Sequence, residues 1–274
     1  MSDQVSSGDV TTIEASDLAA QLTQGTRPNL LLLQVTSAEV FTSAHLPGAQ
    51  LVTPADLVCG VPPASGRLPE RDQLEQLFSR IGYSGDADIV VYDDEGGGWA
   101  GRLAWTLDII GHNSWTYLNG GMHAWAAAGL AFEQGNPPNA PTSVSLSIDT
   151  APIAEIEDVL RCIEDPTQAI WDVRSLEEYL GQRQAAARVG HIPGAVNWDW
   201  MHLKDAGNDM RLSEGILAQL TSMEIADKSI ITHCQTHHRS GLSYMVGRLL
   251  GLNIRAYHGS WSEWGNREDT PIEI

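Results

Sequence analysis

Cys234 is the residue around which chemistry can be built. It lies in the stretch Ser229-Ile-Ile-Thr-His-Cys-Gln-Thr-His-His-Arg-Ser-Gly241. The run 229–232 reads as a short buried strand. From Ser240 onward Leu242, Met245, Val246, Leu249 and Leu250 fall at helical spacing, which sets one apolar stripe against a sheet. Cys234 therefore sits where a strand ends and a helix begins, the crevice in which open α/β sheets bind ligands. Loop and first-turn N–H groups converge there. Their partial positive charge lowers a thiol pKa and supplies a thiolate nucleophile near neutral pH. A free cysteine is otherwise a small buried hydrophobe, and Cys59 and Cys162 read that way. The neighbours of Cys234 (Gln235, Thr236, His237, His238 and Arg239) are no apolar setting.

Two other chemistries have partial signatures. His233, Cys234, His237 and His238 crowd one tight loop, whereas a tetrahedral metal site draws ligands from several directions and separated clusters. No metal is expected. Gly96-x-Gly98-x-x-Gly101, after a strand over 88–92, is spelled like a dinucleotide fingerprint. Asp93, Asp94 and Glu95 would repel a pyrophosphate, so these glycines read as a loop facing the cleft.

Strands over 30–35, 88–92 and 115–118 alternate with helices over 16–24, 72–81 and 99–110, and a further helix spans 156–163. Such alternation calls for a mostly parallel sheet covered on both faces. The second half repeats the first. Val35-Thr-Ser-Ala-Glu39 matches Val173-Arg-Ser-Leu-Glu177, and His45-Leu-Pro-Gly-Ala49 matches His191-Ile-Pro-Gly-Ala195. Because both copies carry it, the His before Pro-Gly reads as a turn bonded by imidazole. Ala100-Gly101 matches Ser240-Gly241 at an offset of 140, at which Cys234 falls on Asp94. One copy keeps the nucleophile and the other has lost it. Between the copies, residues 131–148 begin rich in Pro and Asn and read as a linker.

The net charge of −19 argues against nucleic-acid or anionic-membrane partners. No apolar run is long enough to span a membrane, and the first residues do not read as a signal peptide. Three cysteines without metal-type spacing fit a reducing compartment, so the protein reads as cytoplasmic.

The loop Cys234-Gln-Thr-His-His-Arg239 resembles the active-site loop of the rhodaneses, in the wording of a bacterial two-domain thiosulfate sulfurtransferase subgroup. The segment Tyr257-His-Gly-Ser-Trp-Ser-Glu-Trp264 resembles that family's closing Gly-Ser-Trp-x-Glu-Trp signature. The resemblance implies an α/β chain of two tandem rhodanese-like domains, each a mostly parallel sheet flanked by helices. They would be a catalytically silent domain over 9–130 and a catalytic one over 149–274. It implies transfer of a sulfane sulfur from thiosulfate, or 3-mercaptopyruvate, through a Cys234 persulfide. The acceptor would be cyanide or a thiol, small or protein-borne, and no cofactor is needed. It also points to Arg183 and Arg188, in an insertion before His191 that the first copy lacks, as contacts to an anionic substrate. Trp200 is placed near the cleft, and Arg239 either there or bracing the loop. Phosphatases of the same fold, acting through a phosphocysteine, have five residues between Cys and Arg. Here there are four, a cradle that suits sulfur better than a phosphoryl group. Non-catalytic regulatory modules of this fold usually lack the Cys.

Overall fold

The computed structural model describes residues 10–137 and 140–274. The first half runs β1 (Thr11–Ile13), α1 (Ala15–Gln24), β2 (Leu30–Val35), α2 (Ala38–Ser43), β3 (Gln50–Val52), α3 (Arg71–Arg80), β4 (Asp88–Asp93), α4 (Gly98–Ile109), β5 (Trp115–Leu118) and α5 (Gly121–Ala127). The second runs β6 (Ile153–Ala154), α6 (Ile156–Glu164), β7 (Gln168–Asp172), α7 (Leu176–Tyr179), β8 (Val196–Asn197), β9 (Lys204–Asp205), β10 (Arg211–Leu212), α8 (Ile216–Ser222), β11 (Ser229–His233), α9 (Arg239–Leu249), β12 (Ile254–Tyr257) and α10 (Ser260–Trp264). Each half holds a 5-stranded sheet, ordered β1-β5-β4-β2-β3 and β6-β12-β11-β7-β8, the same order twice. All pairings within both sheets are parallel. β9 and β10 pair antiparallel as a separate two-stranded sheet.

β4 and β11 are the central strands. Ile89, Val90, Val91 and Tyr92 are buried, as are Ile230, Ile231, Thr232 and His233. Parallel strands covered on both faces read as such continuous runs. The largest apolar core joins the two domains, with Leu103, Trp105 and Leu107 of α4 packed with Leu242, Met245 and Val246 of α9. The helices cross backbone to backbone. A Cβ on Gly101 would lie 2.3 Å from the Gly241 carbonyl oxygen, and one on Gly241 would lie 2.5 Å from the Arg102 nitrogen. The repeated small-Gly dipeptide of the sequence is this crossing.

Both His-x-Pro-Gly turns are closed by their imidazoles. His45 Nδ1 meets the Phe41 carbonyl at 2.8 Å, and His191 Nδ1 the Tyr179 carbonyl at 2.9 Å. Each turn also bridges a distant residue, His45 to Glu133 and His191 to Glu273. The segment that reads as a linker is strapped to the first domain. Thr142 N–H donates to the Ser79 carbonyl, Leu146 N–H to Glu75, and Asp149 N–H to the Ile109 carbonyl, while the Leu146 side chain is buried.

Candidate active site

β11 delivers Cys234 to the tip of the second sheet, and α9 begins with Arg239. The turn between them is made possible by His237 at φ 56, a left-handed conformation held by its surroundings. The closing signature supports the loop from below. Trp261 N–H donates to the Cys234 carbonyl at 3.0 Å and Ser262 N–H to that of Gln235 at 2.9 Å. Cys234 N–H donates to the Ser260 hydroxyl at 3.4 Å. These contacts are why the two sequence signatures belong together.

The Cys234 thiol is 1% exposed. Ser240 Oγ donates to its sulfur at 3.4 Å, and His237 Nδ1 lies 2.7 Å from the same hydroxyl. With the Ser240 proton directed at sulfur, His237 must donate through Nδ1. Burial pushes the thiol up, but the Arg239 guanidinium, the Ser240 hydroxyl and N–H, and the Thr236 N–H outweigh it. The net result holds the thiol below its ordinary value. Burial and the nearby Arg102 charge push His237 well down, so the ring is neutral at pH 7.

Arg239 is locked in a fork-to-fork pair with Glu178, at 2.6 and 2.9 Å. Planar bidentate pairing fixes the guanidinium under the loop. At the strand end, Asp172 pairs with Arg174 at 2.6 Å and lies 3.6 Å from His233 Nε2. The loop histidines thus point three ways: His233 to Asp172, His237 to Ser240, and His238 to Glu95 of the first domain. The His238 ring stacks on Trp99 with centroids 4.4 Å apart, and Trp200 tilts against it at 5.5 Å. Lys204 Nζ sits 3.6 Å over Trp200 and donates to the Glu95 carbonyl at 2.6 Å. Trp200 therefore meets the loop at His238, in an aromatic sandwich that both domains build.

The insertion before His191 lies beside the loop, since Gln235 Nε2 donates to the Ala185 carbonyl at 2.8 Å. Its arginines have separate surroundings. Arg188 donates to the Trp264 and Thr270 carbonyls at 3.0 and 2.9 Å and to the Thr270 hydroxyl. Arg183 is exposed, and no ion pair forms at it among the described residues. Glu178 and Ser240 also border the loop, and neither carried a signal of its own in the sequence, whereas Glu95 belongs to the acidic loop expected to face the cleft.

Sheet register corrects one correspondence between the copies. Val35 pairs with Asp93, and Asp172 with His233. Matching Val35 to Val173 lays Gln34 over Asp172, Tyr92 over His233, and Asp93, not Asp94, over Cys234. The side chains agree: Tyr92 donates to Gln34 at 2.7 Å where His233 faces Asp172. A single offset failed because the first loop is one residue longer between strand end and helix crossing. Asp93 fills its own cradle, accepting the N–H groups of Gly96, Gly97 and Ala100 at 3.0, 2.8 and 2.9 Å. The glycine spelling of this loop serves that carboxylate, with Gly96 and Gly97 at φ 90 and 105.

The model of the Rhodanese-like domain matches the chain twice, over residues 14–128 and 155–267. A thiosulfate sulfurtransferase of Azotobacter vinelandii is 46% identical over 96% of this chain and 96% of its own length. One of Pseudomonas aeruginosa is 44% identical with the same coverage of both. The crystal structure of YnjE superposes with a TM-score of 0.85 at 20% identity, covering 96% of this chain and 68% of that one. A strand-end cysteine in a cradle of N–H groups, on a duplicated five-stranded parallel sheet, agrees with these likenesses: the chain belongs to the rhodanese family, with two tandem rhodanese-like domains.

Proposed function

We propose that the protein is a thiosulfate sulfurtransferase, with 3-mercaptopyruvate as the nearest alternative donor. One observation carries the reading. Cys234 is a buried thiol at the end of β11 that accepts from Ser240 Oγ at 3.4 Å, on a loop with four residues between Cys and Arg. The Cys234 thiolate attacks the outer sulfur of thiosulfate. The S–S bond of the donor breaks, sulfite leaves with the bonding pair, and a Cys234 persulfide remains. Its terminal sulfur carries the negative charge and is held by loop N–H groups and the Arg239 field. A cyanide or thiol acceptor then attacks that sulfur, and Cys234 departs as the thiolate. Both half-reactions need a good thiolate and neither needs a proton delivered to the leaving group.

The second domain, 149–274, does this chemistry, and the first, 9–130, is silent because Asp93 occupies the thiolate position. Gln235, Thr236, His237 and His238 shape the cradle, and Trp200 steadies it through His238. Arg183 is the cation facing solvent at the loop's edge. A protein thiol is an acceptor of the same chemistry as a small one. Cys59, Cys162 and Cys234 are all free, which supports a reducing compartment such as the cytoplasm. Among the described residues no helix is long and apolar enough to cross a membrane.

Intact mass spectrometry tests the reading. Thiosulfate should add one sulfur atom to the chain and cyanide should remove it. Cys59→Ser and Cys162→Ser should keep the adduct, and Cys234→Ser should lose it. An adduct that survives in Cys234→Ser would place the chemistry elsewhere.

A further inference from the structure

Arg102 lies on α4 in the first domain and is 0% exposed. Its Nη2 donates to the Leu57 carbonyl at 2.6 Å. Its Nη1 donates to the Gly66 carbonyl at 2.8 Å and reaches the His237 carbonyl of the Cys234 loop at 3.5 Å. Gly66 is itself pressed on that loop, for a Cβ there would lie 1.9 Å from the Thr236 carbonyl oxygen. The guanidinium stands over Trp105 at 4.5 Å, and the same ring meets His237 at 4.5 Å and His258 at 5.7 Å.

A buried charge requires an opposite one. Among the described residues the other fully buried guanidinium, Arg174, has Asp172, and the half-buried Arg239 and Arg248 have Glu178 and Asp108. Among the described residues no carboxylate forms an ion pair with Arg102, and its Nε is buried without a partner. His237 and His258 border it but supply no anion. The acidic groups whose charge bears on it are the thiols of Cys234 and Cys59, while the cation that bears most on Cys234 is Arg239. Burial pushes Arg102 down to about 9, so it remains cationic at neutral pH.

We propose that Arg102, a residue of the non-catalytic domain, is a positioning cation of the sulfur-transfer site. It holds the Cys234 loop from behind through the His237 carbonyl, and its uncompensated charge stabilises Cys234 first as thiolate and then as persulfide anion. The inference rests on Cys234 being the sulfur carrier. It gives the first domain a part in the chemistry: the domain without a nucleophile supplies the second cation, after Arg239, to the one that has it. The charged and titratable groups around the sulfur are then Arg239 on α9, His237 in the loop, and His233 with Asp172 and Arg174 at the strand ends. Glu178 lies behind Arg239, and Arg102 comes from across the interface with Cys59 and His258 facing it.

The readout is the pH midpoint of iodoacetamide alkylation at Cys234, mapped by peptide mass, in the full chain after cyanide treatment. Arg102→Gln should raise that midpoint by roughly a few tenths of a unit, and Arg102→Lys should leave it near the wild-type value. A purely structural brace would lower stability in both variants without moving the midpoint. A midpoint unchanged in Arg102→Gln overturns the inference while leaving the sulfurtransferase reading intact. An ordinary thiol midpoint in the wild-type chain would instead undo that reading. Should Arg102→Gln not fold, the wild-type chain decides. The Arg102 side-chain Nε resonance, identified by its loss in Arg102→Lys, should titrate with Cys234 and stop doing so once Cys234 is alkylated. A signal that stays flat through the Cys234 midpoint overturns the inference equally.

Discussion

Cys234 and Arg239 were legible because a thiol among polar neighbours at a strand end has few other uses. Glu178 was not, being an acidic residue 61 positions away in a chain full of them. Its role comes from α7 lying beneath the loop. Ser240 hid in the same way, as a helix residue that becomes a sulfur ligand only once the turn is drawn. Ser240→Ala removes a donor to the thiolate, so the thiol pKa should rise by about half a unit or more. The acidic limb of the pH profile for persulfide formation should then move to higher pH. An unmoved limb would show that the hydroxyl is only a packing contact. Glu178→Gln should lower stability by about 2 kcal/mol at neutral pH, since half of a charge-assisted fork is lost. Burial pushes Glu178 up, but Arg239 outweighs it and the net shift is downward. Its contribution is therefore complete above the ordinary carboxylate range and disappears as pH falls through the depressed value. Urea titrations should show wild type and Glu178→Gln converging on acidification, and a gap independent of pH would contradict this.

At the level of elements, periodicity placed the strands over 30–35 and 115–118 at their observed bounds. The helix expected over 156–163 is one residue longer, ending at Glu164. What periodicity could not supply was register, because a one-residue difference in loop length leaves both helical stripes intact. The register shows which residues stand in the first domain's cradle. Its cradle has the N–H donors but presents a carboxylate, lacks a guanidinium at the start of α4, and has Val40 where the repeat would need Glu178. Restoring the thiol alone should not restore chemistry. Asp93→Cys combined with Cys234→Ser should take up no sulfur from thiosulfate by intact mass. Uptake there would mean that the cradle suffices without the Arg–Glu fork. The attachment of the linker to the first domain is illegible for a different reason. Its attachments to Ser79, Glu75 and Ile109 are made by its backbone N–H groups, and composition does not report those.

A molecule of charge −19 must draw a dianion to a loop whose cation, Arg239, is paired with Glu178 and acts mainly at short range. Repulsion over the whole body slows the approach, so a local positive focus controls the loading rate. The two arginines of the insertion differ in what they can offer. Arg188 spends its donors on the Trp264 and Thr270 carbonyls, pinning the C-terminal segment to the domain. Arg188→Gln should therefore cost about 1–3 kcal/mol of stability, read by urea unfolding. Arg183 is exposed in an insertion that Gln235 of the loop touches, with Glu177 as its nearest acidic influence, so its charge can act on an arriving anion. Arg183→Gln should slow thiosulfate loading by about two- to fivefold at low salt. The deficit should shrink as salt is added, because an exposed charge is screened over about 10 Å at 0.1 M ionic strength. Cyanide discharge of the preformed persulfide should change less, since its acceptor carries a single charge. Stopped-flow measurement of persulfide formation separates the cases. If Arg183→Gln loads sulfur as fast as wild type at low salt, the insertion is a solvated loop. The attraction then comes from the buried cations behind the sulfur, whose effect added salt should hardly alter.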